Sequence, residues 1–513
     1  MTIDRKLAAQ LDGELEADLQ REGRLGKPRR YLAGDHDMPY MPRGAKAEYK
    51  HLGQRAVTNW TPLISDSFAK GLFVDGYRPA RAADNAEPWA YWQANGLDAR
   101  QSVAHRGALE YGTSYALVLP GTVGTRRIPY FRPLSPLRSM AWYQDDDDEF
   151  PEIGLRRKGR TVDGTDLIEV YDKNSVYTFA RPVGDDPLKT PDWILSREDE
   201  HGLGVTPFVR FRDRLDGESV GIITPIITIQ DRVNEIVFST LIALQYAAFR
   251  QRWATGLAIP EDAEGNPVEP FKSAVDRLWI AEDDTARFGD FAQTETSGHL
   301  AAYEGTVRTL AAVAQISPNI LTGDLVNLSA EALAQMEQAT QRKLSEYETL
   351  FGEAWESGFR LAAKAAGNRP ASVDIEAQVR WRDTEARSLA QTVDALGKIA
   401  TLLEVPVEAL WERIPGVTDQ DILRWRELRS SDPLAELTAE LTRQAGADTA
   451  PAPTGDDASA AKSKADALGS LIRAGATFES AAAQVGLSGL IPSGAMPVSL
   501  RLPESEASDL EEK

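Results

Sequence analysis

The sequence lacks cysteine altogether, which excludes disulfide bridges and thiolate metal sites. A chain without cysteine fits a reducing compartment. Long apolar runs are also missing, because the longest, residues 237–249, is interrupted by Ser239, Thr240 and Gln245 and is too short to span a bilayer. The first residues lead directly into polar helical sequence, so no secretion signal is expected. The sequence therefore predicts a soluble protein made in the cytosol, without membrane contact.

Basic side chains are in deficit as well. The chain has 57 Lys and Arg against 78 Asp and Glu, which gives a formal net charge of −21. Tight non-specific DNA binding needs a basic surface that releases counterions from the phosphates, so this class of function is disfavoured. An acidic wall would instead let a duplex pass without adhering. Excess acid also keeps proteins soluble, and composition alone leaves both interpretations open.

Recognisable catalytic motifs are almost absent. The sequence has no GxxxxGK[ST] phosphate loop and no HExxH zinc motif, and its five histidines show no ligand spacing. Residues 217–221 match the G-x-S-x-G nucleophile elbow, which requires a buried strand running directly into the turn. Here residues 212–216 separate the apolar strand from Ser219, so a loop that caps the next helix is favoured. A serine hydrolase built on Ser219 is the alternative.

The acidic run at residues 145–149 could attract a divalent cation. It lacks the spaced ligands and central glycine of an EF-hand loop, so a solvated acidic loop is favoured. Whether the run binds a cation stays open at this point. The sequence predicts neither a catalytic residue, nor a cofactor, nor a metal ligand.

Helical periodicity is what the chain does contain. Ile229, Val233, Ile236, Thr240 and Leu244 follow a 3.6-residue repeat, which predicts a helix that ends near residue 256. A compact insert marked by proline and glycine follows. The same periodicity predicts a second helix at about residues 299–316.

A third helix is predicted to begin after Ser329, which can cap it, and to run to Ala366. Unbroken, this helix would be about 55 Å long, with a kink at Gly352 or Gly358. A helix of this length outruns the core that could cover its apolar stripe within a monomer. We therefore expect copies of the chain to associate along their helices.

The remaining regions combine helices with short strands. Helices are predicted around Leu7–Leu15, residues 57–68 and residues 97–111, and strands at residues 72–77, 114–120, 128–131, 153–155, 167–171, 175–179, 207–211 and 373–381. The short strands lie mostly between residues 125 and 212. The predicted fold class is α+β, mainly α.

Several passages, in this order, resemble the portal proteins of tailed bacteriophages, in particular the siphophage type from actinobacterial phages. They are YLAGDH at 31–36, NWTPLISDSF at 59–68, FVDGYR at 73–78, HRGALEYGTSYALV at 105–118, QDRVNEIVF at 230–238, FRQRWATG at 249–256, ISPNILTG at 316–323 and LGSLIRAG at 468–475. The similarity covers nearly the whole chain. No single passage is as diagnostic as a phosphate loop, and the ordered set carries the resemblance.

The resemblance implies a portal-type fold with an α/β wing, a two-helix stem, a small α/β clip, a long wing helix and a helical C-terminal crown. The parts would be a wing at 1–224 with its β-rich lobe at 125–212, stem helix 1 at 225–256, the clip at 257–296, stem helix 2 at 297–317, a tunnel loop at 318–328, the long wing helix and wing return at 329–443, a flexible linker at 444–466, and crown-like helices with an acidic tail at 467–513.

The resemblance also implies a structural, non-enzymatic role and a set of site residues. The tunnel loop would present to DNA the small or polar residues Asn319, Thr322, Gly323, Asp324 and Asn327. The stem candidates are Asp231, Arg232 and Glu235, and the clip candidates for partner contacts are Asp262, Asn266, Phe271 and Trp279. Helical spacing does not reveal whether the stem charges face the lumen or a neighbour.

The implied partners follow from the same resemblance. They are other copies of this chain in a ring of twelve at one capsid vertex, the terminase large subunit, a head-completion or adaptor protein, the major capsid and scaffolding proteins, and double-stranded DNA passing non-specifically through the channel. The location would be the virion, after synthesis in the bacterial host cytoplasm. A different structural or scaffolding protein of the phage head is the second alternative.

Overall fold

The fold is described from a computed structural model of the chain. The structure describes residues 3–41, 47–80, 87–182, 192–248, 252–255, 287–290, 296–323, 330–382, 389–414, 416–417, 419–430, 467 and 477–486. The chain divides into two compact units, residues 1–419 and residues 420–513.

Helices account for most of the described regular structure. They are α1 (Arg5–Leu19), α2 (Gly26–Leu32), α3 (Ala47–Arg55), α4 (Thr61–Ala69), α5 (Glu87–Asn95), α6 (Leu97–Tyr111), α7 (Ile227–Ala248), α8 (Ser297–Ala314), α9 (Pro318–Thr322), α10 (Ala330–Ala366), α11 (Arg369–Ser372), α12 (Leu389–Leu402), α13 (Val407–Leu410), α14 (Asp419–Ser430) and α15 (Phe478–Val485). Short 3-10 helices at Thr224–Ile226 and Trp411–Arg413 precede α7 and follow α13. Of these helices, none in the described ranges is both long and apolar enough to cross a membrane.

The strands form four antiparallel sheets in the described residues. The strands are β1 (Val74–Arg78), β2 (Thr113–Leu119), β3 (Tyr130–Leu134), β4 (Ser139–Trp142), β5 (Ile153–Arg160), β6 (Thr165–Tyr171), β7 (Ser175–Pro182), β8 (Ile194–Glu200), β9 (Phe208–Arg212), β10 (Arg252–Thr255), β11 (Arg287–Asp290) and β12 (Gln378–Trp381). Strands β4 to β8 pair in chain order as a five-stranded meander, and β2 lies between β3 and β9. The other two sheets are the pairs β1–β12 and β10–β11.

Helix α1 covers one face of the five-stranded sheet. Asp4 caps the helix, because its carboxylate accepts hydrogen bonds from the backbone N–H groups of Lys6 and Leu7. Leu11 and Leu15 pack in one buried cluster with side chains of β5 and β6. Arg157 of β5 donates from Nε to the Asp12 carboxylate at 2.6 Å, so a charge-assisted bond accompanies the apolar contact.

Helix α10 is the central element of the main core. Tyr347, Phe351, Trp355 and Phe359 repeat every four residues along one side and are all buried. The helix packs against β2, β9, β12 and α5. Its aromatic side chains also contact His105 of α6 and Phe131 of β3. A Cβ on Gly358 would lie 2.7 Å from the Phe131 ring, so glycine at this position permits close approach of β3.

Several predicted elements are confirmed. The third long helix ends at Ala366, as predicted, and it stays helical through Gly352 and Gly358. The kink expected at one of these glycines stays a prediction. The second ends at Ala314, two residues before the predicted boundary. The predicted strands at 114–120, 153–155, 167–171, 175–179 and 207–211 correspond to β2, β5, β6, β7 and β9.

Other predicted boundaries are wrong. The helix expected to reach residue 256 ends at Ala248, and Arg252–Thr255 form β10, whose Trp253 and Thr255 favour extended structure. Its partner β11 lies more than thirty residues further along the chain, so local periodicity could not reveal the pairing. In the strand predicted for 373–381, only Gln378–Trp381 is extended. The helix predicted from residue 57 begins at Thr61, where Pro62 occupies the first turn.

Candidate functional site

The three stem candidates lie in the first part of α7 but have different environments. Arg232 and Glu235 are exposed. Asp231 is partly buried and accepts a 2.7 Å hydrogen bond from the phenol of Tyr31, a residue of α2. Asp231 therefore faces the N-terminal part of its own subunit, which decides an orientation that helical spacing left open.

Two amides on the same side of α7 are completely buried. Gln230 is 0% exposed and Asn234 is 1% exposed. Gln230 accepts from the backbone N–H of Trp60 at 3.2 Å and donates to the Thr58 carbonyl at 2.6 Å. The Asn234 oxygen accepts from the Thr58 N–H at 3.1 Å and from the Gln230 amide at 3.0 Å. These bonds satisfy the backbone of the segment that leads into α4.

A third segment completes this contact. The rings of Tyr31 and His36 are stacked with centroids 4.6 Å apart. His36 Nε2 lies 3.0 Å from the Tyr31 carbonyl, and His36 Nδ1 lies 2.9 Å from the Asn234 amide nitrogen. We call the contact among residues 31–37, residues 58–61 and residues 230–234 the α7 junction.

The α7 junction holds two carboxylates around one phenol. Tyr31 Oη is 2.7 Å from Asp231 and 3.0 Å from Asp37. Burial raises the pKa of Asp231, and the nearby Asp37 charge adds to this effect. Burial also opposes ionisation of Asp37, but hydrogen bonds from Arg30 and Tyr31 outweigh it, so the pKa of Asp37 is lowered. Burial together with Asp231 raises the pKa of Tyr31.

Beyond the junction, α7 and α8 enclose an apolar groove of about 320 Å³. The groove is lined by Val237, Thr240, Leu241, Leu244, Thr296, His299, Leu300 and Tyr303. Leu244 is 49% exposed and Leu300 is 59% exposed, so large apolar side chains remain open to solvent on a single chain.

The predicted tunnel loop begins as a helix, which corrects the expectation of an irregular loop. Asn319 and Thr322 belong to α9, and Gly323 caps it with φ +72°. Pro318 explains the difference, because proline at the first helical position is pre-organised for a helix. Asp324 and Asn327 lie outside the described residues, as do the clip candidates Asp262, Asn266, Phe271 and Trp279 and the linker at 444–466.

Of the two glycines at residues 217–221, Gly221 serves backbone packing, whereas a Cβ on Gly217 would have no atom within 4 Å. Gly221 has φ +70°, and a Cβ there would lie 2.7 Å from the Leu109 carbonyl oxygen. The N–H of Ile222 donates to the same carbonyl at 2.8 Å, so the segment closes the end of α6 before α7 starts. Ser219 follows an irregular segment after β9 rather than a strand running into the turn, which is not the geometry of a nucleophile elbow.

The acidic run is held by arginines of neighbouring elements. Asp146 forms ion pairs with Arg210 at 2.7 Å and Arg212 at 3.2 Å, both near the end of β9. Glu149 accepts from Ser357 of α10 at 2.6 Å. Within the described ranges, no group of three or more acidic or histidine side chains is arranged to hold a metal ion. All five residues of the run are exposed, so the expectation of a solvated acidic loop is confirmed, and Asp146 and Glu149 in addition bond to neighbouring elements.

Comparison with known proteins places the chain in a family. The family model described as "Phage portal protein, SPP1 Gp6-like" matches residues 14–432. The chain belongs to this family of phage portal proteins. Its function is that of a portal, the channel used in packaging phage DNA, and the family is a structural one.

Portal proteins of two mycobacteriophages are similar to the chain. That of Mycobacterium phage D29 is 26% identical over 359 residues, covering 66% of this chain and 71% of the relative. That of Mycobacterium phage L5 is 24% identical over 382 residues, covering 70% and 74%. A solved structure titled "Virion of native gene transfer agent (GTA) particle" aligns with TM-score 0.39 and 12% identity over 76% of this chain and 99% of the other. A second, "Neck of native GTA particle computed with C12 symmetry", gives 0.38 and 12% over 75% and 97%.

The α7 junction brings together three of the passages that resemble portal proteins. The passages at 31–36, 59–68 and 230–238 are separated by up to 200 residues along the chain. Sequence reasoning treated them independently and missed their contact. One signal could have revealed it, namely that Gln230 and Asn234 are amides four residues apart beside the apolar stripe of a helix.

Proposed function

We propose that copies of this chain form a closed ring whose axial channel carries double-stranded DNA into and out of the phage head at one vertex. The observation that supports ring formation is the exposed apolar groove between α7 and α8. Burying its exposed leucines against a second copy would remove apolar surface from water, at about 25 cal/mol per Å². Twelve copies is the number that the resemblance implies.

The groove gives the first prediction. Replacing Leu300 with glutamate should abolish or strongly reduce ring formation, because a carboxylate would be buried without a partner at each subunit contact. Native mass spectrometry and negative-stain images of the purified protein would measure the ring fraction directly.

A matched control is available on the same chain. Leu215 is also 59% exposed but lies in the segment between β9 and α7, away from the groove. Leu215→Glu adds the same charge and should leave the rings intact. Rings that form normally from Leu300→Glu, or that are lost equally in both variants, would contradict the assignment of the groove to a subunit contact.

The parts of the portal are assigned as follows. Residues 1–224 and 329–443 form the wing, α7 and α8 form the stem, residues 257–296 form the clip, and residues 467–513 form the crown. The clip would contact the terminase large subunit during packaging and a head-completion protein afterwards, through Asp262, Asn266, Phe271 and Trp279. Major capsid and scaffolding proteins would surround the wing in the virion, after synthesis in the bacterial cytoplasm. ATP hydrolysis would belong to the terminase.

The tunnel loop gives the second prediction. Residues 318–328 would project into the channel, where Asn319, Thr322, Gly323, Asp324 and Asn327 would meet DNA without binding it. Asp324→Lys should slow or stall packaging, because each subunit then offers a cation to the phosphates. Higher salt should restore part of the rate by screening this attraction. DNA packaged per capsid over time is the measurement.

Asp216→Lys is the control for charge alone. Asp216 is exposed in the segment before α7, and the substitution changes the net charge by the same amount. Its packaging rate should equal that of the unmodified protein. A normal, salt-independent rate for Asp324→Lys would count against a loop that faces DNA.

A further inference from the structure

We propose that the α7 junction is a pH-sensitive contact, which holds the N-terminal segment on α7 only while His36 is neutral. The inference is independent of ring formation and of the channel. It rests on which atoms in the junction can donate a hydrogen bond and which can only accept one.

The constraint starts at the backbone. The Trp60 N–H can only donate and the Thr58 carbonyl can only accept, so Gln230 must present its oxygen to Trp60 and its nitrogen to Thr58. The second proton of the Gln230 amide then points to the Asn234 oxygen. Thr58 N–H donates to that same oxygen. Two independent donors therefore fix the orientation of the Asn234 amide.

The orientation of the Asn234 amide determines the tautomer of His36. Because the Asn234 oxygen already accepts two hydrogen bonds, its N–H faces His36 Nδ1 at 2.9 Å, so Nδ1 must be the acceptor. The proton of the imidazole then lies on Nε2, which donates to the Tyr31 carbonyl at 3.0 Å. Only the neutral tautomer protonated on Nε2 satisfies both contacts.

Protonation would place two donors against each other. A proton on Nδ1 would face the Asn234 N–H, and rotating the Asn234 amide would instead leave the Thr58 N–H and the Gln230 amide facing nitrogen. Each rearrangement leaves a different buried N–H group without an acceptor, and an unsatisfied buried donor costs free energy. Separation of residues 31–37 from α7 removes this cost, because the groups then bond to water.

The charged neighbours of His36 do not remove this preference. On α2 and the segment after it, Arg30 disfavours the imidazolium, and Asp37 is already paired with Arg30 at 2.9 Å. On α7, Asp231 favours the charged form, as does Asn59 on the segment before α4. Burial is the largest effect, and the pKa of His36 is lowered below its ordinary value of 6.5.

The test is hydrogen exchange of the full-length protein, measured by mass spectrometry between pH 8 and pH 5 and corrected for intrinsic exchange rates. His36 binds a proton more readily in the open junction than in the closed one. Protection of residues 31–37, which include the bonded N–H groups of Gly34 and Asp35, should therefore fall as the pH drops below about 6.5, by at most about tenfold per pH unit.

Two variants separate this effect from general acid destabilisation. His36→Gln offers an oxygen to Asn234 and an N–H to Tyr31 but does not titrate in this range, so its protection should be independent of pH. Asn234→Asp supplies a carboxylate that accepts from Thr58, from Gln230 and from a protonated His36. In this variant, protection should hold or rise as the pH falls.

The outcomes decide the proposal. It is overturned if the unmodified protein keeps the same protection at pH 8 and pH 5, or if His36→Gln loses protection to the same extent. It is also overturned if Asn234→Asp responds to acid as the unmodified protein does. Strands β5 to β7 serve as an internal reference, since none of these variants touches them and neither His36 nor His105 lies in them.

Discussion

Trp355→Ala should reduce the free energy of unfolding by about 3–5 kcal/mol, the usual cost of truncating a buried tryptophan. Trp355 is completely buried on α10. Its ring centroid lies 4.7 Å from Phe211, 4.9 Å from Trp92 and 5.7 Å from Phe131. The side chain thus joins the long helix to β9, α5 and β3, and its loss would leave a cavity shared by all three.

A hydrogen bond adds to this contribution. The indole N–H of Trp355 donates to His105 Nε2 at 2.8 Å in the same core. Trp355→Phe removes the N–H but keeps a ring. Its free energy of unfolding should therefore lie between those of the unmodified protein and Trp355→Ala. Urea unfolding followed by circular dichroism would measure all three proteins without depending on tryptophan fluorescence.

Tyr40→Ala provides the surface control. Tyr40 is 81% exposed, and its truncation should change the free energy of unfolding by less than about 0.5 kcal/mol. A loss below about 1 kcal/mol for Trp355→Ala would show that α10 is not held by this aromatic core.

The second large effect is acid destabilisation through His105. Burial is the main cause that lowers the pKa of His105 to about 3, from an ordinary value of 6.5. The imidazole accepts from Trp355 at Nε2 and faces the Leu72 carbonyl at Nδ1, 3.2 Å away, so it is neutral with its proton on Nδ1. A second proton would point at the indole N–H.

The sign of the pH dependence follows from linkage. Between pH 6.5 and pH 3 the unfolded chain binds a proton at His105 that the folded chain does not. The contribution of His105 to the free energy of unfolding is fully present above pH 6.5. Below pH 6.5 it falls by about 1.4 kcal/mol per pH unit.

His105→Gln isolates this contribution from carboxylates that titrate in the same range. The difference in unfolding free energy between the unmodified protein and His105→Gln should shrink as the pH falls below 6.5. His51→Gln, at an exposed position, is the control for replacing a histidine with glutamine as such. A constant difference for His105→Gln would refute the buried, neutral state of this histidine.

Local periodicity was sufficient to predict the long elements. The apolar stripe from Tyr347 to Phe359 predicted α10 to its last residue, because a helix of this length repeats its signal many times. Short strands with alternating side chains were also predictable. Strand β8 was not, because its residues 197–200 are charged and it becomes a strand by pairing with β7.

Patterns within a few turns, and the order of short passages, were enough to predict the mixture of helices and strands, the existence of three long helices and the resemblance to portal proteins. Three features became visible only in the folded chain: Asp231 faces Tyr31, His36 and His105 are held neutral, and Gly221 closes the end of α6. These features depend on which donors and acceptors meet across 100 to 250 residues of chain. The spacing of residues along the chain does not predict these contacts, because the packing of whole helices and strands determines which groups form hydrogen bonds.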